Sequence, residues 1–302
     1  MLDKFLYREE WILAVRKRGD RLLFEKNGTH DKFNIIPNTN RYWCADPFLF
    51  KHDGRTYVFF EMYDRWKERG LVGYREILGE DRFSDMKIAL DCGHHLSYPN
   101  IFEYAGDIYF VPESYIANQI ILYRAVSFPD KWEKCEVLVD DIVACDTTFI
   151  NKDYMITLAN NSTNTKTEAI LFKNNNGEWE KTKNNPVDTD SAHARCGGKI
   201  FKHKNKIIRP AQNGIGGYGM GIVFREILLC SETEYKEQTI TEITADDISY
   251  NAKCSYDGIH TYNFNDEYEI VDLKIAKAFH LISIISRYYG KASRLLKRFI
   301  GR

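Results

Sequence analysis

A motif that returns about every fifty residues constrains this chain more than anything else in it, because such a period marks an array of small supersecondary units. Two copies align without a gap. Ala45-Asp46-Pro47-Phe48-Leu49-Phe50 runs through Asp53-Gly54 to Tyr57-Val58-Phe59-Phe60-Glu61. Ser97-Tyr98-Pro99-Asn100-Ile101-Phe102 runs through Ala105-Gly106 to Tyr109-Phe110-Val111-Pro112-Glu113. Three looser copies follow. Cys145-Asp146-Thr147-Thr148-Phe149-Ile150 leads into Tyr154-Met155-Ile156-Thr157-Leu158, and Lys199-Ile200-Phe201 leads into Ile207-Ile208-Arg209-Pro210-Ala211-Gln212, where Gln212 takes the place of Glu61. Gly258-Ile259-His260-Thr261-Tyr262-Asn263 leads into Tyr268-Glu269-Ile270-Val271-Asp272. Each copy is an apolar run, a turn and a second apolar run, so each reads as a strand pair. Five such units predict an all-β fold, a five-bladed β-propeller over residues 8–272, with the early strand Trp11-Ile12-Leu13-Ala14-Val15 closing the ring on the last blade.

Composition agrees with a packed, strand-rich chain: 14% of the 302 residues are aromatic and only 7 are proline. The seven cysteines (Cys44, Cys92, Cys135, Cys145, Cys196, Cys230, Cys254) are scattered and contain no C-x-x-C pair. Reduced thiols in a cytoplasmic protein are therefore expected, without a disulfide framework. The start MLDKFLYREE has no secretory h-region. The histidines lack ligand spacing, so neither a metal nor a cofactor is expected.

The near-neutral total hides an uneven charge. From Leu273 to Arg302 there are eight cations and no acid, leaving 34 bases against 43 acids in the rest of the chain. That balance excludes a nucleic-acid binder. Ile275, Phe279, Ile282, Tyr289 and Ile300 recur at helical spacing among those cations. Residues 273–302 thus read as a basic amphipathic α-helix suited to an anionic membrane surface, with the protein peripheral at the inner face of the membrane.

In a propeller the first strand of each blade lines the central channel. Asp46, Asn100, Asp146 and His260 open such strands, so they are expected to converge at one mouth. Carboxylates gathered in this way suit glycosyl chemistry, where one activates a nucleophile and another protonates a leaving oxygen. Glu61 and Glu113 end second strands and are candidates for the same channel. Gly214-Ile215-Gly216-Gly217-Tyr218-Gly219 satisfies G-x-G-x-x-G, but a strand-like run follows it instead of a helix. It reads as a turn, able to contact a phosphate and to offer Tyr218 to a substrate.

Together these residues resemble a known group. Ala45-Asp46-Pro47-Phe48 with Asp53-Gly54 and Tyr57 is similar to the first-blade motif of glycoside hydrolase family 43. Closer still is the N-terminal domain family named after glucosamine inositolphosphorylceramide transferase. The stretches that carry this likeness are Ser97–Glu103, Val111-Pro112-Glu113-Ser114, Leu122-Tyr123-Arg124-Ala125, Phe128–Trp132, Cys145-Asp146-Thr147-Thr148, Arg209-Pro210-Ala211-Gln212 and Gly258-Ile259-His260-Thr261. The likeness covers about residues 40–272 and implies a five-bladed propeller acting on sugars.

Carried over by position, the resemblance makes Asp46 the general base and Asp146 the carboxylate that tunes the acid. The hydrolases' acid is a Glu opening the fourth blade, and this chain reads Ala194-Arg195-Cys196-Gly197-Gly198 there. Without that acid, transfer from an activated sugar fits better than hydrolysis, since a phosphate leaves as a stable anion. The expected enzyme is a glycosyltransferase of surface polysaccharide or glycolipid synthesis. Its partners would be a nucleotide sugar or other activated sugar and a glycan or lipid-linked acceptor. Asp46, Asp146 and Glu113 would carry catalysis. Glu61, Asn100, Arg195, Arg209, Gln212, Tyr218 and His260 would bind substrate, with Arg195, Arg209 and His260 facing phosphate. A hydrolase with a displaced acid and a non-catalytic glycan-binding module are the alternatives.

Overall fold

The computed structural model describes residues 7–25, 31–160, 167–252 and 255–279. The chain begins with β1 (Tyr7–Lys17) and a short β2 (Asn34–Ile36). Four complete antiparallel sheets follow in sequence. The first is β3 (Tyr42–His52), β4 (Arg55–Asp64), β5 (Arg69–Ile77) and β6 (Lys87–Leu90), and the second is β7 (Ser97–Tyr104), β8 (Asp107–Glu113), β9 (Ile120–Ser127) and β10 (Lys131–Val139). The third is β11 (Val143–Phe149), β12 (Tyr154–Asn160), β13 (Thr167–Asn175) and β14 (Glu178–Lys181). The fourth is β15 (Phe201–His203), β16 (Lys206–Asn213), β17 (Gly221–Cys230) and β18 (Tyr235–Ile243). The fifth sheet pairs the two ends of the chain: β19 (Tyr262–Phe264), β20 (Tyr268–Phe279), then β1 and β2. These are the five expected blades, and β1 closes the ring as expected.

Aromatic side chains fill the space between blades. Phe48 meets the Tyr98 ring edge-on at 4.8 Å, and Phe59 of the first blade meets the Trp132 ring of the second edge-on at 5.8 Å. Such rings contribute large buried areas in preferred geometries, which is why an aromatic-rich sequence suits this ring of sheets.

The first strands of three blades share one irregularity. Their pairing slips between Ala45 and Phe48, between Ser97 and Asn100, and between Cys145 and Thr148. At each slip one non-glycine residue is left-handed: Asp46, Tyr98 and Asp146, with φ of 51°, 45° and 52°. A β-bulge of this type redirects a side chain out of the ordinary alternation. In the fourth blade Gly197-Gly198 stand at that place. A Cβ on Gly198 would lie 2.1 Å from the Tyr262 carbonyl oxygen, so only glycine lets the fifth blade approach.

The tail departs from expectation at its start. Leu273 to Phe279 continue β20, with Trp11 opposite Lys274 and Tyr7 opposite Phe279. Leu273, Ile275 and Phe279 also fit a period of two, and pairing with β1 selects that reading over the helix. The domain boundary expected at 273 therefore falls within a strand. The helix expected beyond it lies outside the described residues.

Buried ion pairs fasten the closure. Arg16 reaches Glu269 at 2.6 Å within the fifth blade, and Arg65 of the first blade reaches Glu10 on β1 at 2.6 Å. Both members of the Arg65–Glu10 pair are at most 2% exposed. Removing one partner strands a buried charge, which costs about 3–5 kcal/mol. Glu10→Ala should therefore lower stability by that amount in denaturant unfolding, while a change under about 1 kcal/mol would show that the pair does not hold the ring.

Candidate functional site

The bulges turn two of the candidate carboxylates toward one end of the channel, and the ends of second strands supply the others. Asp46 is buried on β3 and Asp146 is buried on β11. Glu61 lies three residues before the end of β4, Glu113 ends β8, Gln212 sits near the end of β16, and Asp272 lies on β20 opposite Leu13. All of these side chains are buried.

Asp272 organises one side of the site. One carboxylate oxygen accepts the backbone N–H groups of His260 (3.1 Å) and Thr261 (2.9 Å), and the other accepts that of Asp46 (2.9 Å). His260 Nδ1 stands 2.6 Å from Asp272 Oδ2, and its Nε2 stands 3.6 Å from Asp46 Oδ1. The Thr261 hydroxyl donates to Asp46 Oδ1 at 2.8 Å. Trp11 stacks flat on the His260 ring at 3.8 Å, and Tyr218 stands edge-on to it. Burial works against a charged His260, yet Asp272 and Asp46 hold it above its ordinary value. Burial likewise pushes the Asp46 carboxyl up to about 6, with His260 restraining the rise.

Arg195 organises the other side. Its Nε donates to Asp146 at 2.5 Å, and its Nη2 lies 3.3 Å from Glu113. Its guanidinium also faces the Tyr218 ring at 5.3 Å. Gln212 Nε2 donates to the same Asp146 oxygen and to the Cys196 carbonyl. Burial holds Glu113 well above the usual carboxylate range. The charge of Asp146 and a hydrogen bond to it add to the shift, while Arg195 opposes it. Glu61 is raised in the same direction by burial and by the charges of Asp46 and Glu113. Beside Glu61, His95 accepts the Gly70 N–H on Nδ1 and turns Nε2 to within 3.6 Å of Oε1. Burial lowers this histidine to about 4, so it is neutral and Nε2 carries the hydrogen.

Of the expected site residues, Asp46, Glu61, Glu113, Asp146, Arg195, Gln212, Tyr218 and His260 gather here. Two do not. Arg209 is wholly buried, clamped on Glu237 through two bonds of 2.7 Å and on the His193 carbonyl, so it is unable to meet phosphate. Asn100 donates to the Thr147 carbonyl and lines a separate cleft with Phe102, Phe149 and Trp179. Asp272, Thr261, Trp11 and His95 were not singled out from sequence. Asp272 ends the fifth copy as Glu61 ends the first, and that was its signal.

The glycine-rich segment is a turn leading into β17, as expected. It borders a cavity of about 450 Å³ that Arg195, Gln212, Tyr218 and Leu158 also line. Gln212 Oε1, and Asp146 Oδ1 on the carboxylate that Gln212 holds, are buried with no N–H or O–H donor placed on them among the described residues. One grouping has ligand atoms close enough to hold a cation: Asp46, His260 and Asp272 lie within 4.8 Å of one another. Their lone pairs, however, already serve Thr261 and three backbone N–H groups.

Comparisons with known proteins follow this geometry. The family model described as glucosamine inositolphosphorylceramide transferase 1, N-terminal, matches residues 36–273. A glucosamine inositolphosphorylceramide transferase 1 of Oryza sativa subsp. indica is 32% identical over 205 residues, 65% of this chain and 27% of the relative. That of Arabidopsis thaliana is 29% identical over 233 residues, 74% of this chain and 30% of the relative. The chain thus spans less than a third of these relatives. Among solved structures, the catalytic domain of Coprinopsis cinerea GH62 α-L-arabinofuranosidase has a TM-score of 0.52 at 11% identity, covering 78% of this chain and 92% of that one. A family 117 glycoside hydrolase from Zobellia galactanivorans has a TM-score of 0.51 at 12% identity, covering 91% and 92%. These two likenesses are of fold.

The raised Glu113 carboxyl has a consequence for stability. Its folded-state value lies above the unfolded one, so its contribution is present at low pH and lost as pH rises through the folded value. Glutamine copies the protonated form and does not titrate. Glu113→Gln should match the wild-type melting temperature near pH 5 and exceed it increasingly toward pH 9. A constant difference across that range would contradict the assignment.

Proposed function

The chain belongs to the family of the glucosamine inositolphosphorylceramide transferase 1 N-terminal domain, and from that premise we propose that it is a carbohydrate-active enzyme whose channel mouth holds a sugar unit for glycosyl transfer. The observation that carries this reading is a Glu113 carboxyl held well above the usual carboxylate range beside Asp146, in one channel with an Asp46 raised only to about 6. These are an acid and a base poised in one channel, set apart by their surroundings. Asp46 takes the proton of the acceptor hydroxyl, whose oxygen attacks the anomeric carbon. The bond to the leaving oxygen breaks as Glu113 donates its proton to that oxygen or hydrogen-bonds it. Asp146 Oδ1 and Gln212 Oε1, buried without donors, are suited to accept sugar hydroxyls.

Five carboxylates against Arg195 and His260 make this channel a poor place for phosphate. The sugar ring belongs among the acids, and the activating group of a nucleotide sugar or similar donor belongs outside them, toward Tyr218 and the glycine-rich turn. A glycan or lipid-linked acceptor is the expected partner. The same reading has the protein work at the inner surface of a membrane in building a bacterial surface polysaccharide or glycolipid. Supporting it is the run of six cations without an acid from Arg287 to Arg302.

The test is a panel of nucleotide sugars and oligosaccharides screened by thermal shift, followed by product analysis with the ligands that stabilise. Asp46→Asn should lower transfer about 10²–10⁴-fold, the usual loss for a missing general base, while ligand-induced stabilisation persists. Undiminished turnover in Asp46→Asn would refute the role. Free sugar as the only product would replace transfer by hydrolysis.

A further inference from the structure

Alternation of strand direction sorts the propeller's connections onto two faces. Glu61, Glu113 and Gln212 lie at or near the ends of second strands, so the connection from second to third strand in the first, second and fourth blades rises on the face where the channel mouth opens. In the first blade that connection is Arg65-Trp66-Lys67-Glu68, in the second Ser114–Gln119, and in the fourth Gly214–Met220. They present bare apolar tips: Trp66 is 48% exposed, Ile116 53% and Ile215 64%, with Tyr115 and Met220 also exposed. On the opposite face the turns from first to second strand, His52-Asp53-Gly54-Arg55, Asn151-Lys152-Asp153, His203-Lys204-Asn205-Lys206 and Asn265-Asp266-Glu267, are polar, while Leu78, Val126, Leu228 and Leu229 stand exposed at or beside the ends of third strands. The second blade's turn on that face, Tyr104-Ala105-Gly106-Asp107, carries one exposed aromatic ring.

A second observation points to the same face. The strand β20 is the second strand of the fifth blade, so it too runs toward the mouth and ends there at Phe279. Residues 280–302 continue from that point and carry Arg287, Lys291, Arg294, Lys297, Arg298 and Arg302 without one acid. Stable attachment to a bilayer generally needs two signals, apolar insertion and a basic patch. This face offers the tips of three blades and is where the basic segment begins. Isoleucine and methionine tips have no π face for a sugar ring to stack on, and they suit the boundary between headgroups and acyl chains.

We propose that the face bearing the channel mouth lies against an anionic lipid surface, with Trp66, Ile116, Ile215 and Met220 seated at its interface. This rests on the membrane-surface reading above and adds to it the orientation of the ring. The mouth then opens into the headgroup layer. A sugar acceptor carried on a lipid reaches Asp46 and Glu113 without its lipid leaving the bilayer.

The test uses the full chain and vesicles of phosphatidylcholine with phosphatidylglycerol, in flotation and in tryptophan quenching by acyl-brominated lipid. Wild type should float. Ile215→Ser with Met220→Ser should lower the apparent partition coefficient about tenfold or more, as loss of two inserted apolar side chains implies. Brominated lipid should quench wild type, and Trp66→Phe should remove most of that quenching. Flotation that the tip variants and Trp66→Phe leave unchanged would overturn the orientation while sparing the membrane reading. Absence of flotation would overturn both. Tip-dependent self-association in sedimentation without lipid would assign the face to a second copy of the chain and also overturn the proposal.

Discussion

Five carboxylates drawn out of water into one channel repel one another, and the rest of the structure answers to that repulsion. Asp46, Glu61, Glu113, Asp146 and Asp272 face only Arg195 and His260 as cations within the group. Such a cluster persists when each charge is matched by a donor or removed by a proton. Asp272 is matched by three backbone N–H groups together with His260, and Asp146 is matched by Arg195 and Gln212. Glu61 and Glu113 are pushed toward the protonated form instead. The left-handed bulge residues follow from the same need, since they set Asp46 and Asp146 where these donors can reach them.

Much of this was legible in the sequence because a propeller converts periodicity into convergence. The matched Glu61 and Glu113, and Gln212 in the equivalent place, named the ends of three second strands before any fold was known. What remained hidden was orientation. Arg209 and Gln212 share β16 but lie three apart, so the period of two puts them on opposite faces of the sheet. Gln212 enters the channel, and Arg209 is left to pair with Glu237. Its residue type suggested phosphate, whereas its parity argued against the channel. Trp11 was recognised as part of the closing strand, but its stacking on His260 joins residues 249 apart in sequence and depends wholly on ring closure. The residues after Asp272 showed the opposite difficulty, because Ile275 and Phe279 satisfy helical spacing and strand alternation alike.

The position of Arg195 is the main chemical departure from the hydrolase-like pattern. Where the resemblance leads one to expect a proton donor, a guanidinium stands, held further toward its charged form by Asp146 and Glu113 against the cost of burial. An arginine so held cannot give up a proton at any ordinary pH. It can fix the position of Asp146 beside Glu113. The raised Glu113 is then a consequence of burial and the Asp146 charge together, which is how carboxylates acquire acid roles near neutral pH. In the proposed reading the donor function has moved from the fourth blade to the second, while Asp146 keeps the tuning part that the resemblance implies.

That relocation bears on what the channel accepts. In the proposed reading an acid supplied from Glu113 puts the leaving oxygen on the side of the channel where Arg195 reaches Glu113 at 3.3 Å and faces Tyr218. The cavity of about 450 Å³ bordered by Arg195 and Tyr218 is on that side, and the glycine-rich turn forms its rim. The turn contributes no dinucleotide site, because β17 follows it where a helix would be required. Its glycines instead bring the chain close over Trp11: a Cβ on Gly219 would lie 2.3 Å from the indole ring. The segment that most resembled a cofactor motif in the sequence is thus a packing device. It seats Tyr218 over His260 and Arg195, at the one place where both organising halves of the site meet.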